Sequence, residues 1–179
     1  MKYTSVLLIL VLIASCANET AVDNSIDMLD QEAVDAARQH IDAKSGFYSL
    51  MGETRLGDDC GGYSDVYRLF ILRTFSESEV IRIGKRQGEP SLAYSVGRLG
   101  SAESVTNSID DSIFAQFQTI VRSSPFLSMD VHTVIWGVDT PKYHFEWCSE
   151  GNYYAVEREW NDTELRAVFQ YLEELVADE

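Results

Sequence analysis

Histidine, cysteine and proline each occur only three times in the 179 residues, and 14 basic residues stand against 29 acidic ones. With so few histidines, a zinc site would have to borrow carboxylates. His-Glu-x-x-His, Gly-x-Ser-x-Gly, a Walker loop and Cys-x-x-Cys are all missing, which leaves the common hydrolytic, nucleotide-binding and thiol-redox chemistries without a motif. No cofactor and no metal are called for. Asp58 and Asp59 sit beside glycines, but the alternating oxygen ligands of a calcium loop are absent. The formal charge of −15 disfavours nucleic acid and anionic lipid as partners through bulk charge, and suits solubility or a basic protein partner. Beyond the N-terminus no apolar run approaches the length needed to span a bilayer. Internal repeats and low-complexity stretches are also lacking, and the remaining composition is that of a globular chain.

What is present begins at the N-terminus. Lys2 supplies a positive start, residues 5–13 (Ser-Val-Leu-Leu-Ile-Leu-Val-Leu-Ile) form an apolar core, and Ala14 and Ser15 lead into Cys16. This is the layout of a signal peptide, with a core too short for a permanent membrane helix. The stretch Leu12-Ile13-Ala14-Ser15-Cys16 resembles the lipobox of bacterial lipoproteins. The resemblance implies diacylglycerol on the Cys16 thiol, cleavage before it and acylation of the new amino terminus. Two or more acyl chains hold a protein stably at a membrane, at ~0.8 kcal/mol per buried methylene. Ala17, where an aspartate would favour the inner membrane, points to the outer membrane facing the periplasm. The expected organisation is a signal peptide at 1–15, a lipidated tether at 16–24 and one globular domain at 25–179. That domain is long enough to bury roughly 70% of its extended-chain surface.

Cys60 and Cys148 remain. In an oxidising compartment an isolated pair is most simply a disulfide, and closing so long a loop contributes roughly 4–5 kcal/mol in the chain-entropy model. The competing reading, a reactive Cys60 thiol, conflicts with Asp58 and Asp59, which would raise its pKa.

The patterning predicts an α+β domain with an antiparallel sheet of about five to six strands and helices packed on one face. A helix from Asn24 or Ser25 to about Ser45 carries Ile26, Leu29, Ala33, Ala37 and Ile41 on one side. Val66–Phe75 is apolar on both faces, as a central strand is. Val80–Arg86 and Ser91–Leu99 flank the turn Gln87-Gly88-Glu89-Pro90. Ser108 opens a capping-box-like sequence before a helix that buries Ile109, Ile113, Phe114, Phe117, Ile120 and Val121, stopped by Pro125. Val131–Val138 reads as a strand. Tyr143–Ser149 and Tyr153–Trp160 form a hairpin, and Asn161 or Asp162 caps a last helix with Leu165, Val168, Phe169, Leu172, Leu175 and Val176 inward.

In that hairpin, residues 139–146 (Asp-Thr-Pro-Lys-Tyr-His-Phe-Glu) and 153–160 (Tyr-Tyr-Ala-Val-Glu-Arg-Glu-Trp) are similar to a pattern in uncharacterised bacterial proteins, often lipoproteins. The pattern runs Asp-Gly-x-x-Trp-x-x-Glu, a short gap, then Tyr-x-x-Val-x-Arg. Thr140 replaces the glycine here and Tyr143 the tryptophan. The resemblance implies a fold and carries no activity.

A two-residue turn would place Tyr143, Phe145, Trp147, Tyr154 and Val156 on the core side, with Arg158 at its edge. His144, Glu146, Cys148, Tyr153 and Glu157 would share the other side. His144 with Glu146 or Glu157 could serve as an acid–base set or hold a metal ion. The plainer expectation is the polar outer face of an antiparallel hairpin. Arg68, Arg73, Arg82, Lys85, Arg86 and Arg98 concentrate positive charge in the first half of the domain, for internal pairing or an anionic ligand. Two functions follow. One is a non-catalytic binding or envelope-accessory module, in its sharper form an inhibitor or immunity protein steered to a basic enzyme. The alternative is a small envelope hydrolase using His144 with Glu146 or Glu157.

Overall fold

The computed structural model describes residues 32, 35, 36, 39, 48, 51–54, 56, 60–98, 102–131 and 140–177. The signal peptide, Cys16, the tether, Asp58, Asp59, most of the first expected helix and the expected strand after Val131 lie outside them. Glu32, Asp35, Ala36 and Gln39 are helical and exposed, and Tyr48 is helical and buried.

Among the described residues six strands form one antiparallel sheet: β1 (Asp65–Leu72), β2 (Ser78–Arg86), β3 (Glu89–Gly97), β4 (Glu103–Ser108), β5 (Lys142–Ser149) and β6 (Asn152–Glu159), in the spatial order β4-β3-β2-β1-β5-β6. β1 is central, as its two apolar faces require. It ends three residues earlier than its apolar run, because the chain turns where Arg73 N donates to Ser78 Oγ (3.3 Å), leaving Phe75 82% exposed on the connection. Gln87 and Gly88 alone make the β2–β3 turn, with φ of 53° and 90°. Positive φ at both positions marks the hairpin turn whose twist matches that of the strands, so Glu89 and Pro90 belong to β3. Glu150 and Gly151 (φ 49° and 82°) repeat this between β5 and β6.

β4 gives no periodic apolar signal. Its sequence, Glu-Ser-Val-Thr-Asn-Ser, has one large apolar residue and lies at the sheet edge, where polarity costs nothing. The expected capping role of Ser108 is therefore overturned: Ser108 ends β4, and helix α1 (Asp111–Ser123) starts after Asp110, which makes no side-chain cap bond. α1 buries Phe114, Phe117 and Val121. Helix α2 (Arg166–Ala177) buries Val168, Phe169 and Leu172, and Asp162 Oδ1 organises its entry by accepting from the amides of Glu164 (2.8 Å) and Leu165 (2.9 Å). Both helices pack on the face that carries Tyr67, Leu69, Ile71, Ile81, Ile83, Tyr143, Phe145 and Trp147. Phe126 meets Phe145 edge-on at 4.7 Å, and Tyr143 stacks on Phe169 at 4.9 Å. Each such aromatic contributes roughly 1.5–3 kcal/mol through burial.

The opposite face is covered as well. Tyr48, Met51, Leu56 and Cys60 pack there on Val66, Phe70, Val80, Cys148, Tyr153 and Ala155. The Cys60–Cys148 disulfide (Cα–Cα 5.4 Å) ties this covering segment to β5. At Gly84 any side chain would run into the Tyr63 ring and Val66, so the chain before β1 lies close on the sheet there.

Candidate functional site

The site is set by register. Arg68 of β1 stands opposite Glu146 of β5 on one side and Arg82 of β2 on the other. His144, two positions before Glu146 and so on the same face, lies between Phe70 of β1 and Glu157 of β6. The side assignment expected for the second hairpin holds: His144, Glu146, Cys148, Tyr153 and Glu157 share the face away from the helices.

That face is not an outer surface. His144 is 2% exposed, Glu146 0% and Glu157 6%. The expectation of a solvated polar face fails because Tyr48, Met51, Glu53, Thr54, Leu56 and Cys60 lie over it, a cover that strand alternation within the hairpin cannot reveal. A carboxylate buried without partners would cost several kcal/mol. Here the Glu146 carboxylate and the Arg68 guanidinium meet each other. Arg68 Nε donates to Glu146 Oε2 at 2.7 Å, and Arg68 Nη2 lies 2.6 Å from the same oxygen, at ion-pair distance but outside hydrogen-bond angles. Arg68 Nη1 donates to Glu53 Oε2 (3.0 Å) and to the Thr54 carbonyl (2.6 Å). The rings of Tyr48 and Phe70 flank its guanidinium at 5.0 and 4.8 Å. Arg82 Nη1 reaches the same Glu53 oxygen at 2.5 Å.

Glu146 Oε1 is crowded with donors. Tyr48 and Tyr153 donate their hydroxyl protons to it at 2.7 and 2.9 Å, and His144 Nε2 lies 3.2 Å away. Tyr48 Oη is also 3.0 Å from His144 Nε2. Tyr48 has one proton and gives it to Glu146, so the proton between His144 and these two oxygens must sit on Nε2. Burial alone would push the Glu146 carboxyl upward, but the Arg68 charge, with His144 and Tyr48, outweighs it and holds the group at about 2. Burial, and next the Glu146 charge, push the Tyr153 hydroxyl well above its ordinary value. Glu146 is thus a fixed anion. At neutral pH it has no proton to give and little basicity with which to take one.

No protein-family model matches the chain, and no curated protein matches it.

The structure brings the three suspected residues together with Tyr153, which parity had put on the same side, and adds partners that sequence reasoning did not join to them: Arg68, Glu53 and Tyr48. One signal was available, an arginine in the middle of a strand apolar on both faces, which demands a buried acid. Nothing local to Tyr48 or Glu53 marked them. The other basic residues are also engaged within the fold: Arg73 with Glu79, Lys85 with Asp111 at 2.7 Å, and Arg86 with the Gly61 carbonyl and the Tyr63 ring. The internal-pairing expectation therefore holds for Arg68, Arg73, Arg82 and Lys85, while Arg86 is held by a carbonyl and a ring. Among the described residues no group of three His, Cys, Asp or Glu is arranged to hold a metal ion.

Proposed function

We propose that the chain is an exported, lipid-anchored envelope protein, held through Cys16 at the outer membrane and facing the periplasm, whose domain binds another protein rather than catalysing a reaction. The observation that carries the non-catalytic reading is the enclosure of Glu146. Within the acid–base candidate set of His144, Glu146 and Glu157, His144 and Glu146 lie beneath Tyr48, all three residues are buried, and the central carboxylate is fully buried and committed to Arg68, Tyr48, Tyr153 and His144. A group that must exchange protons with substrate has to be reached by substrate; this one is spent on holding the cover to the sheet. The buried Cys60–Cys148 disulfide fits an oxidising compartment, and the charge of −15 suits a basic partner, an inhibitor- or immunity-type role being the sharper form.

The test is capture from detergent-solubilised envelope with the full-length lipidated protein. A basic protein retained at moderate salt and released at high salt is the expected outcome. Hydrolysis of an envelope polymer by the purified domain, lost in Glu157→Gln at unchanged melting temperature, would overturn the reading in favour of the hydrolase.

A further inference from the structure

The two edges of the sheet differ. In β6 the amide of Glu157 points outward and is already taken, donating to the Val131 carbonyl at 2.9 Å, and Arg158 Nη2 donates to the Asp130 carbonyl at 2.6 Å. β4 lies at the other edge, with every residue but Asn107 exposed. Its backbone direction follows from one bond. Ile109 N donates to the Pro90 carbonyl, which makes 109 and 90 a hydrogen-bonded position of the ladder. The antiparallel pattern alternates, so Asn107, Val105 and Glu103 turn their backbone groups toward β3. Ser104, Thr106 and Ser108 turn theirs outward. Among the described residues nothing bonds to these three amides and three carbonyls, which form a row unbroken by proline, and β4 bears no lysine or arginine to blunt it.

The ends of this row are acidic. Glu103 stands at one end and Asp110 just past the other; both are exposed, and Asp110 spends no side-chain oxygen on capping α1. A second copy of the chain added antiparallel would bring Glu103 of one molecule toward Asp110 of the other, which disfavours self-pairing. A segment with lysine or arginine at both ends would instead meet an acid at each end. We infer that β4 accepts an extended basic segment of a partner protein by strand addition, through Ser104, Thr106 and Ser108, with Glu103 and Asp110 selecting its flanking charges. Main-chain bonds supply the affinity in this mode, and end charges supply the choice of partner. The inference rests on the binding function proposed above and gives it a site.

Thr106→Pro is the decisive variant. The Thr106 amide points away from β3, so proline removes an outward donor and sets its ring in the path of an added strand, while the β3–β4 ladder stays intact. The probe is an eight-residue peptide of alternating threonine and valine with lysine at both ends, titrated into the disulfide-intact protein and followed by amide NMR. Shifts centred on Ser104, Thr106 and Ser108 are expected. Affinity should be roughly tenfold weaker for Thr106→Pro, lower for a glutamate-ended peptide, and lower as salt rises. A melting temperature near wild type confirms that the variant is folded. Shifts elsewhere, no binding, or equal binding by Thr106→Pro would overturn the β4 site. Envelope capture separates this from the broader proposal. A basic partner held equally by wild type and Thr106→Pro leaves binding intact and removes β4. Capture of no partner by wild type removes the binding function, while the peptide titration still decides the edge.

Discussion

Arg68 and Glu146 face each other in register across β1 and β5, and the Nε–Oε2 bond of 2.7 Å joins the two halves of the sheet beneath a cover that shuts out water. The same guanidinium holds Glu53 and Thr54 of the covering segment, so this pair fixes strand to strand and cover to sheet at once.

Arg68→Met should lower unfolding free energy by roughly 3–5 kcal/mol, because it leaves the buried Glu146 charge without its arginine. Arg68→Met with Glu146→Leu should recover more than half of that loss, since an apolar pair of similar volume carries no uncompensated charge. Urea denaturation of the two variants measures both effects. Equal destabilisation by the single and double variants would mean that the loss comes from packing alone.

Stability should fall in acid through Glu146. Its folded pKa of about 2 lies below the ordinary 4.5, so its contribution is fully present above about pH 4.5 and is lost as pH drops toward 2. Asp65 acts in the opposite sense: burial raises its pKa against the hydrogen bonds from Trp147 and Gln118, so its contribution is present at low pH and is lost as pH rises through the folded value. Denaturation midpoints of wild type and Glu146→Gln, compared from pH 6 to 2, should converge as pH falls. A constant gap would show that Glu146 does not titrate in that window.

Cys60→Ser should cost roughly 2–5 kcal/mol, as loss of a native disulfide closing a long loop does. Amide exchange in that variant should quicken first in the cover, at Met51 and Glu53, whose amides donate to the Tyr48 carbonyl, and only later in the strands. Uniform quickening would indicate that the bond stabilises the whole domain without specifically holding the cover.

Cys16→Ser should leave an uncleaved, unacylated precursor, since the thiol is the lipid acceptor in the lipoproteins that the lipobox resembles. Mass spectrometry of membrane fractions decides this, and a mature-sized acylated variant would rule out Cys16 as the anchor.

Much of the fold was legible in the sequence because alternation and helical spacing are local. Both hairpins, α1, α2 and the two faces of Tyr143–Glu159 follow from such patterns, and the cysteine pair follows from there being two cysteines beyond Cys16. β4 was not legible, because an exposed edge strand needs no apolar period. The candidate site was half legible. His144, Glu146 and Glu157 could be grouped by parity, but the cover over His144 and Glu146 includes Tyr48, which lies nearly a hundred positions away in the chain. Contacts of that range leave no periodic trace.

The placement of β1 has a consequence for synthesis. β1 pairs with β2 at once, but its other neighbour, β5, follows only after β3, β4 and α1. Until residues 142–149 emerge, β1 is itself an edge, apolar on both faces and carrying an arginine whose β5 partner, Glu146, has not yet been made. The half-made chain is therefore the aggregation-prone species, and holding it soluble until β5 arrives is a task for the machinery that handles the nascent chain.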